Sequence, residues 1–411
     1  MVKHKKYSNG LNLIVSEGGA ISCSFSIMIG TGTINETDKT NGISHYIEHM
    51  NFKGNQKYSA YQITDIMESL GASYNAYTSM ETTCFYAQTI KDSLEKTFEI
   101  MAESTFNSIY LDEEAKKEKN VIIEEINMSE DTPDDVCFDL MTKAYYGDNG
   151  YGRTILGTPA NVSSFTKQDV LDYLADYYVA ENVVVSFAGN VTLEEADNLV
   201  SKYVMPLLKC TPLSKTPPHN VKCLNQHLYK NKDIEQAHIA LSFPSRVYGD
   251  EDRVISEITS SILGGGMSSR LFRKIRDELG LAYSVYSFSS RYKTTGTVSV
   301  YAGVNSEEYK NAYTSILEVI ENLKKNGVTE AELDTVKMGM KVSTVFAQEK
   351  PLALSRFYAT HFLKTGKIYD FEKRLEDIVR VTIDDVNREI NTFTEENMAS
   401  AVVGKSVEKL K

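Results

Sequence analysis

GASYNAY at residues 71–77 returns as GLAYSVY at residues 280–286, 209 positions later. The first belongs to a strand-like run over 73–79 and the second to one over 282–291. A second echo pairs LDEEA at 111–115 with VTEAE at 328–332, an offset of 217. The difference between the two offsets is what a few loop insertions produce. A repeat this long and this diverged means two homologous domains, not a solenoid.

The surroundings of the two segments follow one plan. In the first half, strands are expected over 10–17 and 22–30, and helices over 42–52 and 59–70. Ile63, Ile66, Met67 and Leu70 give the second helix its 3,4 spacing. Strands over 73–79 and 82–90 follow. Next come a helix carrying Leu94, Phe98, Met101 and Ala102 and a Glu- and Lys-rich helix from Glu113. The second half gives a strand over 236–245, helices over 252–263 and 270–279, and strands over 282–291 and 297–304. Helices from about Glu307 and Thr329 complete it. Strands, paired helices, strands and paired helices predict an α+β fold: in each domain a largely antiparallel sheet with helices on one face. Pro206, Pro212, Pro217 and Pro218 fall close together. KCTPLSKTPPHN, residues 209–220, reads as a linker, giving domains over 1–208 and 221–411.

The 411 residues carry 44 Lys and Arg against 56 Asp and Glu, a net charge of −12. That balance argues against nucleic acid as the ligand, because phosphate binding needs clustered cations. It suits neutral or basic partners. No apolar run reaches the roughly 18 residues of a membrane-crossing helix. The N-terminal apolar stretch, Leu11 to Val15, is too short for a secretion signal. Five cysteines, odd in number and without a CxxC pair, give neither a disulfide framework nor a thiolate metal site. A cytoplasmic, non-membrane chain is the expectation.

The chemistry concentrates in GISHYIEHMNFKG, residues 42–54. Two of only seven histidines, His45 and His49, stand four apart, on one helix face. Two such imidazoles can share a zinc ion. Glu48 lies beside them, where a carboxylate can take a proton from water. HxxEH is the inverse of HExxH. Zinc in a hydrolase wants a third protein ligand and an open position. EKNVIIEEINMSED places Glu118 and Glu125 two helical turns apart, with Val121 and Ile122 between them and Glu124 turned away by roughly 100°. Glu125 is the candidate third ligand and Glu118 a carboxylate that orients a ligating histidine. Taken alone, the same run also reads as a solvated Glu-rich helix. The other five histidines form no second cluster.

HxxEH followed by a glutamate 76 residues later resembles the pitrilysin-type inverted zinc metallopeptidases, the family of insulysin and mitochondrial processing peptidase. NGISHYIEHMNFKG, GASYNAYTSMETTCFYAQ, KNVIIEEINMSEDTPDD and GGGMSSRLFRKIRDELGLAYSVYS are similar to family blocks in order along nearly the whole chain. The length is that of the short, two-domain members. The resemblance implies one zinc per chain held by His45, His49 and Glu125, with Glu48 as catalytic base and Glu118 as supporting acid. It also implies that a peptide pairs along the strand holding Asn75 and Ala76. Arg276 and Tyr283 would serve the scissile peptide, with Arg273 a rival on the same helix. The helix equivalent to the motif, RVISEITSSILGGG, has no histidine, so the second domain is expected to be noncatalytic. Two domains facing each other around a chamber, peptide substrates and a homodimer are further implications. Some relatives are structural subunits or dedicated processing enzymes, so a partner-dependent subunit is the alternative. Asn51, where many relatives carry an apolar residue, departs from the pattern and bears on packing behind His49. The glycine run 264–266 reads as a hinge or a tight helix corner.

Overall fold

The structure is a computed structural model describing residues 2–208, 210–213 and 221–410. Of the expected linker, residues 209 and 214–220 lie outside the described residues. Eleven strands build two sheets. The first sheet uses β1 (Val2–Lys6), β2 (Asn12–Glu17), β3 (Ser22–Ile29), β4 (Ser73–Thr78), β5 (Thr83–Ile90) and β6 (Val183–Gly189), in the order β1-β2-β6-β3-β5-β4. The second uses β7 (His227–Asn231), β8 (Gln236–Pro244), β9 (Ala282–Arg291), β10 (Gly296–Asn305) and β11 (Ala399–Gly404), in the order β7-β11-β8-β10-β9. Without β1 the two orders are the same, element for element. Each sheet has one parallel pair, β2 with β6 and β7 with β11, and is otherwise antiparallel.

The helices of the first half are α1 (Ile43–Met50), α2 (Ala60–Ser69), α3 (Leu94–Phe106), α4 (Asp112–Asp131), α5 (Pro133–Tyr146), α6 (Pro159–Ser164), α7 (Lys167–Tyr177) and α8 (Leu193–Tyr203). Those of the second are α9 (Arg253–Gly264), α10 (Tyr309–Asn326), α11 (Glu330–Ala347), α12 (Pro351–Thr365), α13 (Phe371–Arg380) and α14 (Ile383–Ile390). Phe272–Glu278 forms π-helical turns where an ordinary helix was expected.

The chain separates into two compact units, and they are not the two sequence halves. One unit comprises Met1–Asn127, Thr154–Pro217 and Val345–Tyr369; the other comprises Met128–Arg153, Pro218–Thr344 and Asp370–Lys411. The expected division into 1–208 and 221–411 therefore differs from the structure at two segments, and each holds a helix. In the first unit, alternate residues of β3 face opposite ways. Phe25 and Ile27 join the core with Phe98 of α3 and Leu199 of α8. Ser24, Ser26 and Met28 point to the other face and are buried too. That face is covered by α12, whose Thr360 donates to Met28 Sδ at 3.2 Å. In the second unit, Ile239, Leu241 and Phe243 face the main core, while Ala240, Ala401 and Val403 meet Val136, Cys137 and Met141 of α5. So each sheet carries helices on one face, as expected, and one further helix on the other, supplied by the opposite half of the sequence. Small residues on the covered faces let those helices come close.

Gly264 closes α9 against a strand. A Cβ there would lie 2.4 Å from the Ser287 nitrogen of β9. Gly264, the first of the run, thus makes a close helix-to-strand approach, whereas a Cβ at Gly266 would meet nothing within 4 Å.

Candidate metal centre

Helix α1 buries Ile43, Tyr46, Ile47 and Met50, the 3,4-spaced apolar face of the motif. Its N-terminus is held from outside. Gly42 takes a positive φ of 95°, and a Cβ there would come within 2.7 Å of the Leu156 carbonyl oxygen. The buried Glu36 carboxylate accepts from the backbone N–H of Gly42 at 2.8 Å and of Ser44 at 2.9 Å. The side chain of Asn41 also donates to it. A carboxylate here satisfies helix amides that would otherwise lack partners and complements the helix dipole. Ser44 Oγ lies 2.7 Å from the Tyr173 hydroxyl of α7. These contacts fix the direction in which α1 presents its two histidines.

The other side of the site is α4. Ile122 and Ile126 are buried and seat the helix, with Glu118 and Glu125 on the same side. Val121, expected between the glutamates on this stripe, is instead 52% exposed. Glu124 is exposed, as its angular position requires.

The structure brings His45, His49 and Glu125 together. One donor atom from each lies within 4.8 Å of the others. His45 Nε2 is 3.7 Å and His49 Nε2 3.4 Å from Glu125 Oε2. Two imidazole nitrogens and one carboxylate oxygen are a donor set suited to zinc with an open position. Among the described residues this is the only group of three or more His, Cys, Asp or Glu so arranged. His49 turns its other nitrogen, Nδ1, to Glu118 Oε1 at 2.8 Å, the arrangement that fixes a ligating imidazole. Glu48 receives the Thr78 hydroxyl on Oε2 at 2.5 Å.

The charges are shaped by burial and by each other. Burial, with the neighbouring His49, pushes His45 down to about 4, so its imidazole is neutral, the form that binds metals. Burial also acts to lower His49, but Glu118 and Glu125 outweigh it and bring His49 up to about 9. A proton on His49 and a divalent cation are therefore alternative ways to neutralise the same pair of carboxylates. Burial raises Glu48 above the usual carboxylate range, against the opposing hydrogen bond from Thr78. The His49 hydrogen bond holds Glu125 below it.

Asn75 and Ala76 lie on β4, the edge of the first sheet. Asn75 is exposed and its Oδ1 accepts from the Ala76 N–H at 2.8 Å, while the Ala76 side chain is buried. Arg276 and Tyr283 belong to the second unit. They meet there, with the guanidinium 5.1 Å from the tyrosine ring centre, and Tyr283 is 78% exposed. Arg273 goes elsewhere, into a hollow of about 720 Å³ also lined by Arg270, Lys274 and Glu332. Asn51 is fully buried behind the motif. It accepts from the Tyr110 hydroxyl at 2.7 Å and donates toward the Thr105 carbonyl at 3.5 Å. Its amide is thereby satisfied where an apolar side chain was the pattern.

Three residues of this assembly were not read from the sequence: Glu36, Thr78 and Lys53. Lys53 Nζ lies 2.7 Å from Glu118 Oε2.

A mixed sheet-and-helix unit, built twice and holding an HxxEH helix against a carboxylate helix in one copy, defines an inverted metallopeptidase architecture. The comparisons agree. The family model described as insulinase (peptidase family M16) matches residues 13–159, and that described as the peptidase M16 inactive domain matches residues 164–340. A Bacillus subtilis protein named as an uncharacterized zinc protease, YmxG, is 34% identical over 410 residues, 99% of each chain. A Streptomyces coelicolor protein similarly named is 30% identical, over 99% of this chain and 90% of its own. Among solved structures, a protease from Helicobacter pylori superposes with a TM-score of 0.90 over 98% of this chain and 99% of its own. At 23% identity it speaks for the fold alone. The chain belongs to the insulinase family, peptidase family M16, as a short two-domain member. No described helix is long and apolar enough to cross a membrane.

Proposed function

We propose that the chain is a zinc-dependent endopeptidase acting on short or unfolded peptides. The observation that carries this reading is the convergence of His45, His49 and Glu125 within 4.8 Å, with Glu48 on the same helix. The names of the relatives, zinc proteases, support it.

His45 and His49, through Nε2, and Glu125 would hold one zinc ion. Zinc in such a set supplies Lewis-acid polarisation of a carbonyl and acidifies water. Glu48 takes the proton of the attacking water. The water oxygen bonds to the peptide carbonyl carbon, and the C–N bond breaks as Glu48 passes that proton to the leaving amine nitrogen. Thr78 donates to Glu48 Oε2 and so orients this carboxylate. Glu118 holds His49 with Nε2 facing Glu125. Backbone groups at the β4 edge, around Asn75 and Ala76, would pair with the substrate as an added strand. Arg276 and Tyr283 are carried in this proposal as donors to a substrate carbonyl. The net charge of −12 favours basic peptides. A homodimer in the cytoplasm, acting without nucleic acid or membrane, completes the reading.

The test is bound zinc together with cleavage of a quenched fluorescent peptide library, for the wild type and Glu48→Gln. One zinc per chain in both, with cleavage by the wild type only, is the expected result. Zinc without cleavage in either protein would favour a subunit that needs a partner or a narrow processing substrate. A folded wild type that binds no zinc would overturn the proposal.

A further inference from the structure

Glu118 is a carboxylate with almost no access to water: its side chain is 6% exposed. A buried carboxylate persists as a charge only when both oxygens have partners. Oε1 faces His49 Nδ1 at 2.8 Å and Oε2 faces Lys53 Nζ at 2.7 Å. The chain of contacts thus runs from Lys53 through Glu118 to His49, whose Nε2 is turned to Glu125.

Lys53 is not a loose surface lysine that drifted into range. It stands four residues beyond His49, in the turn that ends α1. That turn is tied back by the Phe52 N–H to the His49 carbonyl at 3.3 Å and by the Lys53 N–H to the Met50 carbonyl at 3.0 Å. Phe52 is anchored on the rings of Tyr74 and Phe85, with centroids 5.9 and 6.0 Å away. The backbone that carries Lys53 is therefore fixed to the helix that carries both histidines. With one oxygen of Glu118 pinned by this ammonium, the carboxylate cannot rotate away from His49 without leaving a buried charge unpaired.

We propose that Lys53 is a positioning residue: it fixes the orientation of Glu118, which in turn holds the His49 ring with Nε2 turned to the metal position. The inference rests on the zinc reading above. Partners of ligating residues are worth roughly 10–100-fold in metal affinity, and Lys53 stands one contact further out, so its removal should cost about tenfold.

The test is the zinc dissociation constant, measured by competition with a chromophoric chelator. The proteins are the wild type, Lys53→Met, Lys53→Arg, Glu118→Gln and the double variant Lys53→Met/Glu118→Gln. Thermal unfolding of each zinc-free protein is followed alongside. Lys53→Met should bind zinc about tenfold more weakly, and Lys53→Arg should recover most of the loss. The double variant should bind no more weakly than Glu118→Gln alone, because Lys53 acts through Glu118. Wild-type affinity in Lys53→Met, or losses that multiply in the double variant, would overturn the proposal while leaving the zinc reading intact. A lowered unfolding temperature with unchanged zinc affinity would overturn it equally, as the mark of a purely structural ion pair. If the wild type itself takes up no zinc, the underlying reading fails, and the assignment of Lys53 with it.

Discussion

The Thr78 hydroxyl donates to Glu48 Oε2 at 2.5 Å, binding the edge strand β4 to the helix that bears the motif. The residue that donates to the Glu48 carboxylate is therefore on the same strand as Asn75 and Ala76. A hydrogen bond to a charged group contributes about 1.5–3 kcal/mol. Thr78→Val should lower kcat by roughly tenfold or more, and Thr78→Ser, which keeps the hydroxyl, should stay near wild type. Steady-state kinetics on a fluorescent peptide decides this. An unaltered kcat in Thr78→Val would remove Thr78 from the mechanism.

Glu36 accepts from two backbone amides at the start of α1. Removing a buried acceptor strands donors that cost about 1–3 kcal/mol each. Glu36→Ala should lower the unfolding free energy measured in urea by about 1–3 kcal/mol, seen as a lower midpoint at unchanged slope. Zinc uptake should weaken in parallel, since the presentation of His45 and His49 depends on the same helix. A midpoint equal to wild type would show that the helix start is held by other contacts.

Arg270 pairs with Glu332 along one guanidinium edge, Nε to Oε1 and Nη2 to Oε2, the latter at 2.8 Å. Arg270, with the Thr329 amide and hydroxyl, lowers Glu332 from 4.5 to about 2 despite partial burial. A carboxyl depressed in the folded state stabilises above its unfolded value and loses that contribution as pH falls through the folded value. Glu332→Gln should therefore melt lower than wild type at neutral pH, and the gap should close as pH falls from 4.5 toward 2. Melting curves across that range test it. A gap that persisted at the lowest pH would assign the loss to packing and not to charge.

Gly264→Ala places a methyl 2.4 Å from the Ser287 nitrogen, backbone that cannot swing aside. Overpacking of this kind costs about 1–3 kcal/mol. Gly266→Ala, where a Cβ meets nothing within 4 Å, is the matched control and should unfold as wild type does. Equal melting temperatures for the two variants would mean that α9 can back away from β9.

Local patterns carried much of this architecture. The strand at 282–291 matches β9 at both ends, and the HxxEH spacing places His45 and His49 on one helix face. The Glu118 to Glu125 interval needs only the helical repeat. What escaped is non-local. Lys53 and Glu118 are 65 residues apart, and Glu48 and Thr78 are 30 apart; a lysine after a helix and a threonine in a strand carry no signal of their own. Val121 missed the expected stripe because α4 is rolled to seat Ile122 and Ile126. The fate of α5 and α12 was illegible for a related reason. An amphipathic helix advertises that it has an apolar face, but not which sheet will cover it.

The linker region is consequently no place to cut this protein. A fragment ending near residue 208 would carry α5 without the strands it covers and would leave Ser24, Ser26 and Met28 bare for want of α12. The complementary fragment would have the mirror defect. Two such pieces, expressed apart, could each complete their fold only by finding the other.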